Sequence, residues 1–279
     1  MTAISPTTCA AIKAYLEVFI ENLIEEYRGY EPPGLEKPDD YLAQESPRGR
    51  MKPFHAAIIP AALLRINAFE RGFSSRLGTT FEECARLIAL EHHKEVHRGY
   101  DLTSEMSQAA IAEVERQVAH FERVSQSGNP TPTLEEMIDA VLAARGEDDL
   151  VARTVRADLH LVAGDGAEFF FEMKSPMPNK GQCLEVTQRL LRFHLARGQK
   201  RPAVYAYFAM AYNPYGPARE DYGWSFAKLY TPFEQAVVIG HEFWEVVGGR
   251  TAFEELLAIY QEVGHDKSKY MLDALAFGF

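Results

Sequence analysis

The stretch that decides the fold is "ADLHLVAGDGAEFFFEMKSPMPNKGQ", residues 157–182. Its first part alternates apolar and polar residues as a half-buried strand does, and the DG pair at 165 and 166 is typical of a hairpin turn. An apolar run follows and ends in Glu172 and Lys174, which are separated by a single residue. We therefore expect two antiparallel strands, with two opposite charges at the end of the second strand.

Alternation along this second strand assigns its side chains to two faces. Glu172 and Lys174 point to the same face as Phe170, while Phe169 and Phe171 point to the opposite face. The apolar run is expected to bury the second face, so that the first face carries a carboxylate and an amine side by side.

If the hairpin forms, Asp158 lies on the neighbouring strand, close to Glu172. Two neighbouring carboxylates repel each other unless a cation separates them, and oxygen ligands favour a hard ion such as Mg²⁺. Such an ion makes an attacking water more acidic and neutralises charge on a phosphodiester. Lys174 would position that water or help to deprotonate it, and would stabilise the developing charge. The alternative interpretation is that these charges form the solvated face of an edge strand.

The rest of the chain predicts an α/β fold in which a central mixed sheet is flanked by helices. Helical patterns dominate the first 125 residues and include "TTFEECARLIALEHH" and "SEMSQAAIAEVERQVAHFERV". A polar, proline-rich connection, "GYEPPGLEKPDDYLAQESPRGRMKP", interrupts them, and Thr133 with Glu136 predicts a capping box. After residue 146 the order is strand, strand, helix, strand and helices. We expect a single domain, residues 1–279, with a mainly helical portion at 1–145 and a catalytic α/β core with C-terminal helices at 146–279.

Composition is that of an ordinary globular protein. The 279 residues are 47% hydrophobic and 25% charged, and the formal net charge of -11 argues against a protein whose whole surface binds polyanions. A basic cleft within an acidic surface remains compatible with this charge. Three widely spaced cysteines indicate a reducing compartment, and no apolar run is long enough to span a membrane, so we expect a cytoplasmic protein.

Several of these segments together resemble a known family. Asp158, thirteen residues and then Glu172-Met173-Lys174 are similar to the PD-(D/E)XK pattern of restriction-endonuclease-like nucleases, with Ala157 in place of the proline. The wider chain resembles type II restriction endonucleases of the TdeIII and MjaII kind. The resembling segments, in order, are "AFERGFSSRLGTTFEECARLIA" (68–89), "EMKSPMPNKG" (172–181), "AYNPYG" (211–216) and "EFWEVVGGRTAFEELLAIYQEVG" (242–264).

The resemblance implies a restriction-endonuclease-like core and a Mg²⁺-dependent enzyme that cuts double-stranded DNA at a short palindromic site of the GGNCC type. It assigns Asp158 and Glu172 as metal-binding acids and Lys174 as the catalytic lysine. The expected products carry 5′-phosphate and 3′-hydroxyl ends. A two-fold site is most simply read by a homodimer, and a cognate DNA methyltransferase is expected to be encoded nearby.

An acid from an N-terminal helix joins the metal site in many such nucleases. Here the stretch "GTTFEE" offers Glu83, with Glu82 as the less favoured neighbour. The alternative is that Glu83 is an exposed acid at a helix N-terminus, where the helix dipole favours it.

Candidate DNA contacts lie in three places. In "FSSRLG", Ser75 and Arg76, with Ser74, would contact phosphates at a helix entry, and helix capping is the alternative. Past the active strand, Lys180 is favoured for a phosphate contact over Arg189 and Arg192. In the loop "YNPYGPAREDYGW" the base-reading candidates are Asn213, Arg219, Glu220 and Asp221; the alternative is a packed turn.

Two other functions remain open from the residues alone. One is a different PD-(D/E)XK nuclease, for repair or modified-DNA restriction, and the other is a non-catalytic DNA-binding protein. The segment "EHHKEVH" places His93 and His97 four residues apart, a spacing that can hold Zn²⁺ on a helix, but a solvated helix end is the preferred interpretation because no third ligand is in view.

Overall fold

A computed structural model describes residues 2–29, 39, 45 and 52–277. The chain folds into two compact units. The first contains Met1–Ser5 and Phe81–Glu255, and the second contains Pro6–Thr80 and Leu256–Phe279. Most of the proline-rich connection predicted at 29–53 lies outside the described residues.

The second unit is helical. It contains helix α1 (Pro6–Arg28), the short helix α2 (Pro53–Ile58), most of helix α3 (Ala61–Ala89) and most of helix α10 (Ala252–Leu272), which a π-helical turn, Asp273–Phe277, follows. Helix α1 buries residues at a three-to-four spacing, as an amphipathic helix does: Ile12, Leu16, Ile20, Leu23 and Ile24. Among the residues that the structure describes, no helix is long and apolar enough to cross a membrane.

The first unit is built on a mixed five-stranded sheet in the order β1-β2-β3-β4-β5. The strands are β1 (Glu95–Ser107), β2 (Leu150–Val162), β3 (Glu168–Met173), β4 (Val204–Met210) and β5 (Val237–Ile239). Strands β1, β2 and β3 are antiparallel neighbours, whereas β3, β4 and β5 are parallel. The predicted fold class, a mixed sheet flanked by helices with an N-terminal helical portion, is confirmed.

The hairpin predicted from the DG pair is present. Strands β2 and β3 pair from Val162↔Glu168 to Leu159↔Phe171, and Gly166 takes a positive φ of 88° in the turn. Only glycine adopts that conformation without strain, which is why the DG pair marks the reversal.

Strand β1 was not predicted. The sequence patterns favoured helix on both sides of residues 95–107, but this segment pairs with β2 along its whole length. Its polar composition hides the strand, because only Leu102, Met106 and Ser107 are buried in it.

Helices cover both faces of the sheet within this unit. Helix α4 (Gln108–Ser127), helix α5 (Leu134–Ala143) and helix α6 (Lys180–Arg197) contribute to the core that contains Phe170, and Phe170 stacks on Phe193 at 4.7 Å. Helix α9 (His241–Gly248) covers the opposite face, where Phe171 meets Phe243 edge-on at 5.4 Å. The remaining short helices are α7 (Ser225–Tyr230) and α8 (Phe233–Ala236). The capping box predicted at the start of α5 is confirmed.

Candidate active site

The candidate site lies at the carboxyl end of strand β3. Parallel strands β3 and β4 end at the same edge of the sheet, where ligands of α/β proteins commonly bind. The last β2–β3 pair is Leu159↔Phe171, so the next residues along this register are Asp158 and Glu172. The hairpin thus brings together the two acids that the sequence predicted to be neighbours.

Glu172 is fully buried between two cations. One carboxylate oxygen lies 2.6 Å from Nζ of Lys174, and the other lies 2.6 Å from Nη1 of Arg189 on helix α6. Neither contact is aligned as a hydrogen bond, so both oxygens are held by charge and proximity rather than by directed bonds. A buried carboxylate without a directed hydrogen bond calls for an explanation, and a bound cation would supply one. The proposed solvated edge-strand face is therefore wrong for Glu172.

Asp158 is directed at strand β3. Its Oδ2 accepts a hydrogen bond of 2.7 Å from the backbone amide of Met173. Burial, followed by the negative charge of Glu172, raises the pKa of Asp158 to about 6, while the Met173 amide and Lys174 act in the opposite direction. The negative charge of Glu82 also raises this pKa. Burial and the two neighbouring carboxylates thus disfavour the ionised form of Asp158, which a bound cation would stabilise.

Of the two helix acids, it is Glu82 whose charge acts on Asp158. Glu83 is held by Arg86 at 2.5 Å and by Arg98 at 3.3 Å, and the hydrogen bond from Arg86 is the main cause of its lowered pKa. Glu82 pairs with Arg98 at 3.0 Å. Both acids lie near the end of helix α3 rather than at a helix N-terminus, so the dipole explanation for Glu83 is wrong.

The chain leaves strand β3 through a braced segment. The backbone amide of Lys174 donates to the carbonyl of Ala209 on β4 at 3.1 Å, which extends the ladder by one residue. Farther along, the Tyr222 hydroxyl donates to the Pro176 carbonyl at 2.6 Å, and the Trp224 indole donates to the Pro178 carbonyl at 2.7 Å. These contacts fix the path of the backbone that carries Lys174.

The acids present suit a divalent cation bound largely by oxygen. Among the described residues, no group of three or more His, Cys, Asp and Glu side chains is placed to hold a metal ion by itself. Mg²⁺ usually takes one or two protein carboxylates and completes its coordination with water and substrate phosphate. The unaligned oxygens of Glu172 and the raised pKa of Asp158 fit that kind of site.

Comparison with known proteins decides the family. The family model described as type II restriction endonuclease, HinfI, matches residues 8–264. The type II restriction enzymes HgiEI, HgiCII and HgiBI of Herpetosiphon aurantiacus are 46%, 45% and 44% identical to the chain, over 95% of its length and 96%, 97% and 96% of theirs. The chain belongs to the HinfI type II restriction endonuclease family. It is a site-specific deoxyribonuclease, as the sequence predicted, and enzymes of this class generally use a divalent metal.

In this HinfI-family chain, the predicted contacts of "FSSRLG" sit inside a helix. Helix α3 runs without interruption through residues 61–89, so the helix entry expected there is absent. The Ser75 hydroxyl donates to the Gly72 carbonyl at 2.9 Å, and Arg76 binds Glu26 at 2.5 and 2.9 Å. The side chains of Ser75 and Arg76 are thus already engaged within the helical unit.

Two of the basic residues past β3, Lys180 and Arg189, are also engaged. Lys180 pairs with Glu122 at 2.5 Å and lies over the ring of Tyr230. Arg189 contacts Glu172 and also Glu185, so it belongs to the acidic centre rather than to an outer phosphate surface. The sequence did not predict this role, because the contact joins a strand to the third turn of a helix.

Two of the loop candidates, Arg219 and Asn213, bind groups of the loop and of its surroundings. Arg219 donates to the carbonyls of Phe233 and Val237 at 2.8 and 3.0 Å, and it binds Glu242 at 2.7 Å. Asn213 donates to the Ala218 carbonyl at 2.7 Å and accepts from the Tyr215 amide. The alternative of a packed turn therefore describes these two residues better than base reading.

The histidine pair does not lie on a helix. His93 falls in the turn before β1, where its ring contacts the Val246 carbonyl at 2.9 Å, and His97 lies within β1. The expected solvated helix end is wrong, because the segment crosses from a turn into a strand.

Proposed function

We propose that this endonuclease hydrolyses phosphodiester bonds of double-stranded DNA with Mg²⁺ bound by Asp158 and Glu172, and with Lys174 as the catalytic lysine. The observation that carries this proposal is the meeting of two carboxylates on adjacent strands, with Nζ of Lys174 at 2.6 Å from Glu172. When bound, the cation would acidify a coordinated water and neutralise charge on the phosphate.

Each residue then has a distinct task. Asp158 and Glu172 supply carboxylate oxygens, and the Met173 amide keeps Asp158 oriented. Lys174 orients the attacking water and stabilises charge that develops on the phosphate oxygens. In the in-line reaction the bond from water oxygen to phosphorus forms, the bond to O3′ breaks, and a proton reaches O3′. The products carry 5′-phosphate and 3′-hydroxyl ends.

We infer that Glu82 is the helix acid that contributes to this centre, in place of Glu83, which the sequence favours. The charge of Glu82 acts on Asp158, while Glu83 is occupied by two arginines. A substitution of Glu82 is accordingly expected to raise the Mg²⁺ concentration needed for half-maximal cleavage more than the same substitution of Glu83.

The site is proposed to be palindromic and of the GGNCC type, read by a homodimer in which each subunit cuts one strand. A methyltransferase of matching specificity, encoded nearby, would protect the host DNA. We propose that the enzyme acts in the cytoplasm, and its three free cysteines agree with a reducing compartment.

The test is cleavage of plasmid DNA of known sequence by the purified protein. Discrete fragments are expected with Mg²⁺ and none with a chelator, and their mapped ends give the site and the cut position. Lys174→Ala and Glu172→Ala should abolish cleavage. Lys200→Ala is the matched control, because Lys200 is an exposed lysine whose ion pair, with Asp139, lies elsewhere on the unit.

The proposal is wrong if DNA of many sequences stays uncut, or if the Lys174 and Glu172 variants cut as well as the wild type. Random fragments, or fragments only from methylated plasmid, would instead identify a repair nuclease or a modified-DNA nuclease.

A further inference from the structure

Strands β1 and β2 continue as a two-stranded ribbon beyond the end of β3. The β2–β3 pairing stops at Leu159↔Phe171, whereas β1 and β2 form eight further pairs, from Tyr100↔Ala157 to Ser107↔Leu150. At about 3.3 Å per residue, these pairs extend roughly 25 Å. Because β2 is antiparallel to β3, they extend past the carboxyl end of β3, where the acidic centre lies. We call residues 100–107 and 150–157 the ribbon.

The ribbon has one buried face and one exposed face. Its inner face contributes to the core beneath helices α4 and α6 through Leu102, Met106, Val155 and Ala157. Its outer face carries three successive cross-strand pairs of exposed residues: Asp101↔Arg156, Thr103↔Thr154 and Glu105↔Ala152. The outer face therefore offers hydrogen-bonding groups on a rigid, core-supported element.

The outer side chains are held side by side. Nη1 of Arg156 lies 3.2 Å from both carboxylate oxygens of Asp101, and these side chains are 63% and 54% exposed. The hydroxyls of Thr103 and Thr154 are 2.8 Å apart. The ion pair remains open to solvent, so other partners can reach both of its members.

The Asp101–Arg156 ion pair lies directly beside the acidic centre. The β1–β2 register pairs Arg98 with Leu159 and Tyr100 with Ala157, so Gly99 and Asp158 lie between these two pairs. Gly99 takes a positive φ of 66°. A Cβ at Gly99 would lie 2.6 Å from Nη2 of Arg156, so the guanidinium lies over this glycine. Arg156 is thus the first outward residue of the ribbon next to the proposed metal-binding acid.

We propose that the outer face of the ribbon enters the major groove of the DNA and that Arg156 and Asp101 together read one G·C base pair. A two-stranded β-ribbon fits the major groove, arginine binds O6 and N7 of guanine in bidentate fashion, and a carboxylate accepts from N4 of cytosine. The paired side chains present this donor and acceptor combination in advance. The inference rests on the proposed cleavage of a site rich in G·C pairs.

The ribbon also offers an arginine and a carboxylate that are open to base contacts, which the loop with Arg219 and Asn213 does not. Arg219 and Asn213 are occupied by carbonyls and carboxylates of their own surroundings. Arg156 and Asp101 bind only each other among the ion pairs of the described residues. Exchanging that exposed contact for contacts to two bases costs little, because exposed ion pairs are weak.

The test measures base preference separately from cleavage. In a Lys174→Ala background, with Ca²⁺ in place of Mg²⁺, the protein selects duplexes from a random pool, and the experiment is repeated with Arg156→Ala and Asp101→Ala added. We expect the Arg156 variant to lose guanine preference at one position of each half-site. In the cleaving enzyme, Arg156→Ala should lower kcat/KM on the mapped site by about 5- to 150-fold, and by much less on a duplex in which that G·C pair is replaced.

Arg116→Ala is the matched control. Arg116 is 68% exposed and bound to Glu113 on helix α4, so its loss removes a similar surface ion pair away from the ribbon. Each variant should keep the thermal unfolding midpoint of the parent protein.

The inference is overturned if the Arg156 variant selects the same bases as its parent, if no sequence is selected by either protein, or if cleavage of all duplexes falls equally, as loss of a phosphate contact would cause. It is also overturned if Arg156→Ala dissociates a dimer and leaves base selection intact, which would make the ribbon a contact for a second copy. Failure of the wild type to cut DNA would refute the proposed function alone, because base selection does not depend on cleavage.

Discussion

Glu168 and Glu172 stand four residues apart on strand β3, and each lies against an arginine of helix α6. Glu168 accepts from Nη2 and Nε of Arg197 at 2.7 and 3.0 Å, and it contacts the His160 ring at 3.0 Å. Glu172 lies as close to Arg189 and Lys174, yet none of its contacts is aligned as a hydrogen bond.

We propose that this difference separates a structural carboxylate, Glu168, from a functional one, Glu172. The Glu168 carboxylate has directed partners, which stabilise the fold. Glu172 lies close to two cations without an aligned hydrogen bond to either. A second carboxylate, Asp158, is its neighbour across the hairpin. The same residue types on the same strand therefore predict stability at one end of β3 and chemistry at the other.

The largest expected effect comes from removing one charge at each end. Glu172→Gln should lower cleavage by about 10²–10³-fold or more, because it removes a ligand of the proposed metal and the partner of Lys174. Glu168→Gln should leave cleavage nearly unchanged and lower the free energy of unfolding by about 1–3 kcal/mol, since it leaves Arg197 without its charged acceptor. Single-turnover cleavage and urea unfolding check the two halves. Equal loss of cleavage in both variants would contradict the comparison.

Asp158 provides a second test, in which the substitution is expected to raise the free energy of unfolding rather than lower it. Its folded-state pKa of about 6 lies above the ordinary value of 3.8, so the folded state binds this proton more tightly than the unfolded state. The ionised carboxylate therefore destabilises the fold, and stability is lost as the pH rises from about 4 to above 6. Asp158→Asn should raise the free energy of unfolding of the metal-free protein at pH 8 by about 1–3 kcal/mol while abolishing cleavage.

The control is the same variant at pH 4.5, where the wild-type carboxyl is largely protonated in the folded state. There the gain should be much smaller. A gain of equal size at both pH values would show that the charge of Asp158 is not its cause. Glu168→Gln, in contrast, should show no gain at pH 8.

Short sequence patterns predicted much of the fold and the nearness of the two acids. The DG turn, strand β2 before it and the capping box at Thr133 are each predicted by patterns a few residues long, and the structure contains all three. Strand β2 is nevertheless buried on both faces at Leu159, His160 and Leu161, where the alternation predicted half burial. The nearness of Asp158 and Glu172 followed from the hairpin, because the two acids lie on its neighbouring strands. The sequence could thus place two of the acids without any distant contact.

Contacts between residues far apart in the chain could not be predicted from local sequence patterns. Strand β1 is held by twelve pairs with β2, and its exposed outer face removes the apolar alternation that would reveal it. Arg219 looked like a free base reader, but its donors meet carbonyls of residues 14 to 18 positions away. The contacts of Arg98 with Glu82 and of Arg189 with Glu172 likewise join separate elements, so no local pattern predicts them.

The smallest expected effect concerns the two arginines of helix α6. Lysine carries one compact charge in place of the planar fork of arginine. Arg197→Lys should lose one of the two directed bonds to Glu168 and lower the free energy of unfolding by about 1 kcal/mol, with cleavage retained. Arg189→Lys removes no aligned bond to Glu172 and weakens only the exposed bond to Glu185, so stability should change by less than about 0.5 kcal/mol. Cleavage should fall several-fold, because Glu172 shifts. Parallel urea unfolding and cleavage at saturating Mg²⁺ measure both, and the comparison fails if Arg189→Lys is the more destabilising change.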